Sequence, residues 1–451
     1  MGVTVVACAL GACGTPRPDL ARLYRTEAAR ADQPPVIVIP GLLGTRLVDP
    51  ATGEEVWPGR LFSLFDRSHA GLALPVPGSP IATRDLVPGG ITDRAAGRDF
   101  YGNILEVLSQ SGGYVPGEPG TRVTDARPRL YVFTYDWRRD NVETARRLDD
   151  FIEAIRRDHR RPDLRVDVVA HSMGGLITRY YARYGTSDVL DSNEFPVDLA
   201  GEAKLRRVAL LGTPNLGSAE ALHSFIEGFR VGPGRVATEY VATMPSAYQL
   251  FPHAITQWIV TSDGKELARD QFERDIWRRF GWSIFDDRVR VRIEAAIADP
   301  EHAAKHLSAL EAAFDRYIER ARRFTWSLTV PTPGSELRFA AFGGDCDMTP
   351  ARLVVEEHQG DSVVRLRPRD LAARHEHLDY EALMLEPGDG TVTKASLLGR
   401  HVLDPRIPRH RYANVELGRY VFLCESHSQL TGNITFQDNL LDYLLSADPG
   451  R

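Results

Sequence analysis

The chain has 451 residues, 43% hydrophobic and 26% charged, the composition of a globular protein with apolar surface for a large core. A formal net charge of −6 speaks against a nucleic-acid partner, which a basic surface would accompany. No apolar run reaches the ~20 residues that cross a bilayer as a helix. The four cysteines, at 8, 13, 346 and 424, show no CxxC spacing, so no metal and no cofactor is expected.

Residues 1–14 are apolar and rich in small side chains, and they give way abruptly to a polar stretch from 15 to 33. That is the profile of an export signal. Leu10-Gly11-Ala12-Cys13 also resembles the lipobox of bacterial lipoproteins, which implies lipidation at Cys13. Residues 1–33 are therefore read as a signal or lipoprotein-like segment with its linker. The expectation is an exported protein of the cell envelope, anchored to a membrane, rather than a cytoplasmic one.

Short apolar runs without polar alternation follow, as in buried parallel strands. They are Val36 to Ile39, Leu130 to Phe133, Val166 to Val169, Val208 to Leu211 and Leu337 to Phe342. Between the second and third, Val142, Leu148, Phe151, Ile152 and Ile155 fall on one helical face. Strand, helix, strand, helix in this order predicts an α/β fold with a mainly parallel sheet. A Gly- and Pro-rich stretch, 51–97, reads as an irregular insertion. From 215 to 335 the strand pattern gives way to helical, charged sequence, including Arg320, Arg322 and Arg323, which reads as a helical cap or lid over the sheet. The core then consists of residues 34–214 and 336–451. Whether Cys346 and Cys424 pair depends on whether folding brings them together.

The sharpest local signal is Ala170-His171-Ser172-Met173-Gly174-Gly175, where a strand ends and a helix begins. A serine in such a turn is held with its Oγ above the sheet edge, as in the nucleophile elbow of the α/β-hydrolase fold. Small neighbours are needed there, and Ala170 stands where G-x-S-x-G has its first glycine. The helix N-terminus places positive partial charge where an oxyanion forms, with the Met173 N–H as a donor. An activated serine needs a base and a group that orients it. Acid candidates are Asp345 and Asp347, which directly follow a strand, and Asp389 in the tight Gly388-Asp389-Gly390 loop. His427 follows an apolar run and precedes the closing amphipathic helix, where the base belongs. His401 and His410 lie in Arg/Pro-rich loop sequence and read as surface residues. Pro40-Gly41-Leu42-Leu43-Gly44 follows the first strand, and its glycines let the backbone turn under the serine with Leu42 as second oxyanion donor.

These residues resemble the lecithin:cholesterol acyltransferase family, which includes lysosomal phospholipase A2 and phospholipid:diacylglycerol acyltransferases. The resemblance rests on the segment Val38 to Leu47, Tyr135-Asp136-Trp137-Arg138, Ala170 to Gly175, Gly212 to Gly217, Met244 to Pro252, Gly388 to Val392 and His427, in family order. It implies Ser172, Asp389 and His427 as catalytic triad, with Leu42 and Met173 at the oxyanion. It also implies that Glu55-Val56-Trp57-Pro58-Gly59 lies in a membrane-contact region. The function it implies is a lipid acyl hydrolase or O-acyltransferase, a serine lipase or phospholipase, acting on fatty-acyl esters through an acyl-enzyme. A soluble carboxylesterase on the same fold and an inactive lipid-binding surface protein are the alternatives. The cysteine pair that animal members place around the membrane-contact region is missing.

Overall fold

The computed structural model describes residues 17–59, 69–92, 94–95, 98–99, 101–231, 234–358, 361–399 and 415–447. Cys8, Cys13, His401 and His410, and with them the lipidation site, lie outside the described residues.

Seven parallel strands form the central sheet: β1 (Val36–Ile39), β2 (Val115–Pro116), β3 (Arg129–Val132), β4 (Val166–His171), β5 (Leu205–Leu211), β6 (Phe339–Gly344) and β7 (Leu417–Leu423). Their spatial order is β7-β6-β5-β4-β1-β3-β2, with every pairing parallel. Side-chain alternation along each strand divides the core in two. Ile37, Ile39, Val168 and Leu210 point to one face; Val36, Val38, Ala209 and Phe342 point to the other. Both faces are covered, which is why these strands read as unbroken apolar runs.

Helices α1 (Gly102–Gln110) and α7 (Ile434–Leu445) cover the second face, with Phe342 set edge-on to Phe436 at 5.3 Å. On the first face lie α2 (Asn141–Asp158) and α3 (Met173–Tyr184). The α2 pattern seen in sequence is buried as expected: Val142, Leu148, Ile152 and Ile155 are inaccessible, each worth about 1.5–3 kcal/mol of transfer free energy. Asp140 caps that helix by accepting from the Val142 N–H. A central parallel sheet with helices on both faces and the serine turn at a strand end is the α/β-hydrolase fold.

Between β5 and β6 the chain forms α4 (Ala219–Glu227), α5 (Asp287–Ala296), the long α6 (Pro300–Ser327) and shorter pieces. It is not wholly helical. Phe229–Val231 pairs with Gly234–Val236, and Ile259–Thr261 runs parallel to Leu353–His358. These strands are three residues long on the insertion side, too short to leave a period in the sequence. Phe225, Tyr248, Phe251, Trp277 and Phe314 pack together with centroids 4.5–5.6 Å apart, edge to face except for Phe251 stacked on Trp277. They belong to the same core as the first sheet face. The arginines of α6 are engaged: Arg320 bridges Asp140 and Asp188, while Arg322 and Arg323 pair with Glu319.

Candidate active site

The nucleophile candidate sits where β4 meets α3. Ser172 has φ 53° and ψ −122°, a conformation that costs a non-glycine residue about 1–3 kcal/mol and persists only where its surroundings enforce it. The enforcement is visible. The Ser172 N–H donates to the Leu211 carbonyl of β5 at 2.7 Å. A Cβ on Gly174 would come within 2.7 Å of the Pro40 carbonyl oxygen, and one on Gly175 would run into Thr213. Both glycines are thus required by close approach to the neighbouring strand ends. Met173 opens the helix, and its N–H has no hydrogen-bond partner among the described residues.

Asp389 and His427 meet at the ends of β6 and β7. His427 Nδ1 lies 2.8 Å from Asp389 Oδ2, and its own N–H donates to the Asp389 carbonyl at 2.9 Å. The other carboxylate oxygen accepts from the N–H groups of Thr391 and Val392 at 3.0 and 2.7 Å. Burial pushes the Asp389 pKa up, but the His427 ring and those two N–H groups outweigh it, and the net shift is downward. The rival acids are engaged elsewhere: Asp345 pairs with Lys394 Nζ at 2.8 Å, and Asp347 is exposed. Asp347 nonetheless opens the strand Asp347–Pro350, whose antiparallel partner Leu385–Gly388 delivers Asp389 back to the end of β6. Cys346 and Cys424 are disulfide-bonded, tying the turn after β6 to the turn that leads to His427.

Ser172 shares this sheet edge with the pair. Gly212, which ends β5 beside it, has φ 53°, and a Cβ there would stand 2.8 Å from His427 Nδ1 and 3.0 Å from Asp389 Oδ2. No hydrogen bond from Ser172 Oγ to His427 is formed among the described residues; such contacts often tighten only with substrate in place.

The Pro40–Thr45 turn is held from several directions. Tyr135 Oη donates to the Pro40 carbonyl at 2.7 Å, and Trp137 Nε1 donates to the Thr45 carbonyl at 3.0 Å. Between them, Arg138 pairs with Asp136, both buried, and reaches the Leu72 carbonyl. Tyr-Asp-Trp-Arg is therefore the mount of the turn. Trp57 adds a bond from Nε1 to the Leu43 carbonyl at 2.8 Å and is 5% exposed, packed edge-on to Trp137. The Trp57 side chain is thus turned to the interior. Within the turn the Gly44 N–H takes the Gly41 carbonyl. Peptide planarity then turns the Leu42 N–H the opposite way, where it has no partner among the described residues.

Tyr101 carries no chemical signature in the sequence, and Gly212 and His171 enter the sequence reading only inside the family-like segments, with no role of their own. Gly212 opens the Gly212 to Gly217 segment, which counted only toward the resemblance. Tyr101 follows Phe100 just before a helix, with no motif to mark it. Nothing among the described residues groups three metal-binding side chains, and no described helix is long and apolar enough to cross a membrane.

No curated protein matches the chain. Among solved structures it is similar to the Tle4-Tli4 complex, with TM-score 0.55 and 14% identity over 92% of this chain and 98% of that one. At that identity the likeness shows a shared fold. Lipase 1 from Pelosinus fermentans (TM-score 0.38, 11% identity, 92% and 99% covered) and the mature Bacillus licheniformis lipase BlEst2 (0.33, 13%, 92% and 93%) are more distant. The family model for lecithin:cholesterol acyltransferase matches residues 126–291, a stretch that holds the Tyr-Asp-Trp-Arg mount, the serine turn and Gly212. Over that stretch the chain is similar to the lecithin:cholesterol acyltransferase family that its motifs resemble, and the stretch sits on an α/β-hydrolase fold.

Proposed function

We propose that this protein is a serine enzyme that cleaves or transfers fatty-acyl esters of lipids. The observation that carries the reading is the strained Ser172 backbone at the same sheet edge as the Asp389–His427 pair. The family match supports the acyl-ester class. Ser172 Oγ attacks the ester carbonyl carbon while His427 Nε2 takes its proton, and Asp389 holds the opposite ring nitrogen. The N–H groups of Leu42 and Met173 receive the oxyanion as it forms. His427 then gives the proton to the leaving alcohol oxygen as the C–O bond breaks, leaving an acyl-serine. Water, or an acceptor alcohol, repeats the steps in reverse and frees the acyl group as acid or as new ester.

Hydrolysis stands ahead of transfer, because no acceptor site is marked by any residue. Of the insertion's aromatic side chains, Phe225, Phe229, Tyr248, Phe251 and Trp258 are buried in the core. Tyr240 instead borders a cavity of about 410 Å³, which also touches Leu74 and Ile293 but none of the five site residues. Export to an oxidising compartment is part of the proposal, supported by the disulfide and the N-terminal sequence.

The test is kinetic. Ser172→Ala and His427→Ala should each cost about 10³-fold or more in kcat, and the double variant hardly more, since the two act as a unit. Asp389→Asn should fall steeply by presenting the wrong imidazole tautomer, while Asp345→Asn and Asp347→Asn stay near the parent. Ester hydrolysis by Ser172→Ala at the parent rate would end the serine reading. Mass spectrometry of products from mixed phospholipids, with and without a long-chain alcohol, separates hydrolysis from transfer.

A further inference from the structure

We propose that Tyr101 and His171 form a hydrogen-bonded relay that positions the oxyanion turn and the base of the same site, so this inference rests on the serine reading above. The relay has a direction that chemistry fixes. The Gly41 N–H can only donate, and it donates to Tyr101 Oη at 2.9 Å. Tyr101 Oη lies 2.9 Å from His171 Nδ1, and His171 Nε2 lies 3.2 Å from the His427 carbonyl. A carbonyl can only accept. His171 Nε2 therefore carries the ring proton, Nδ1 is bare, and the Tyr101 hydroxyl proton points to it. Burial, with the His427 ring beside it, lowers the His171 pKa to about 3, so the neutral tautomer this pattern needs persists at working pH.

The two ends of the relay are the parts that must not drift. Gly41 precedes Leu42, and a Cβ on Gly41 would stand 2.7 Å from the Ser172 Cβ and 3.3 Å from His171 Nδ1. The oxyanion turn thus lies directly on the serine and on His171. At the other end, the His171 and His427 rings are 4.7 Å apart between centroids, with the His427 backbone fixed by the bond to its carbonyl. His171 immediately precedes Ser172 on β4. Nucleophile strand, oxyanion turn and base loop are therefore set against one another by a single chain of bonds. Tyr101 is 2% exposed and enters edge-on to His171 at 5.6 Å, so its ring is packed whether or not its hydroxyl acts.

That separation of ring from hydroxyl makes Tyr101→Phe the informative variant. A misplacement on the order of 1 Å costs about 10² in rate, so kcat for a short-chain ester should fall roughly 10²-fold with KM nearly unchanged. Affinity for a boronic acid, which occupies the tetrahedral geometry at Ser172, should fall in parallel, because only transition-state contacts are lost. His171→Leu should match Tyr101→Phe, and the two together should cost little more than either. His171→Gln offers one donor and one acceptor and should recover most of the loss. A lowered Tm with kcat and boronate affinity within about threefold of the parent would mean that the pair is packing alone, and the relay is wrong. Labelling of the parent with a fluorophosphonate distinguishes the two levels. Labelled Ser172 with unaltered Tyr101→Phe kinetics removes only the relay; a parent that is not labelled at Ser172 removes the serine reading and the relay with it.

Discussion

A methyl group at position 212 should disable the site with every residue of the proposed triad left in place. Gly212 has φ 53°, and its missing Cβ would stand 2.8 Å from His427 Nδ1, about 0.6 Å inside the 3.4 Å at which ordinary contact begins. Both listeners on that side are constrained: Asp389 by two N–H groups and His427 by Asp389 itself. The imidazole or the carboxylate must yield, since the same Cβ stands 3.0 Å from Asp389 Oδ2, and either shift disturbs the pair. A displacement of this size predicts a kcat loss for Gly212→Ala approaching 10²-fold, with KM moved far less. The backbone adds about 1 kcal/mol of lost stability, since alanine is strained at positive φ. Gly334→Ala is the matched control: φ is 86° and nothing lies within 4 Å of its Cβ, so it has the backbone cost and no clash. Steady-state hydrolysis of a chromogenic ester, beside urea unfolding of both variants, gives the two numbers. If Gly212→Ala turns over like the parent, or if Gly334→Ala loses as much activity, contact with His427 is not what position 212 protects.

Two further outcomes follow from the acid and from the disulfide. The folded Asp389 has its pKa below the ordinary 3.8, so its stabilisation is complete above that value and is lost as pH falls through the lower folded one. Urea unfolding at about pH 5, 4 and 3 should therefore show a steeper acid loss for the parent than for Asp389→Asn, and equal slopes would contradict the shift. Protein recovered from its native cells should have Cys346 and Cys424 oxidised and lack residues 1–12. Cys13→Ser should release it from the membrane fraction. Recovery with residues 1–12 intact and both thiols free would refute export.

The strands were legible because both sheet faces are covered, so Val36 to Ile39 and Val166 to Val169 had no polar alternation to obscure them. The exceptions are β2, two residues at a sheet edge ending in Pro116, where proline is tolerated because no neighbour needs its N–H, and β7, where Arg419 and the exposed Tyr420 interrupt the apolar run. The serine turn was legible because its glycines and Ala170 answer a local steric demand. The acid was ambiguous for a reason the topology explains. Residues 345–388 leave the end of β6 and return through the Asp347–Pro350 and Leu385–Gly388 pair, so the carboxylate that is near in space is distant in sequence. His427 could be placed by its position before the last helix. Tyr101 could not, since its partners Gly41 and His171 lie 60 and 70 residues away and no local pattern records such contacts.

The way α6 is fastened bears on how the stretch between β5 and β6 can be exchanged with that of another protein. Arg320 holds Asp140 at 2.8 Å and Asp188 at 2.8 Å, while Gln249 donates to Asp140 at 2.8 Å and accepts from the Asn141 N–H. Asp140 is also the N-cap of α2, two residues beyond the Tyr-Asp-Trp-Arg mount. A chimera that brings in foreign sequence for residues 215–335 without an equivalent of Arg320 and Gln249 would take the arginine from Asp140 and Asp188 and the amide oxygen from the Asn141 N–H at once. It would also strip the aromatic side that completes the first sheet face. The graft has to carry its own counter-charges, or its seam has to move to include positions 140 and 188.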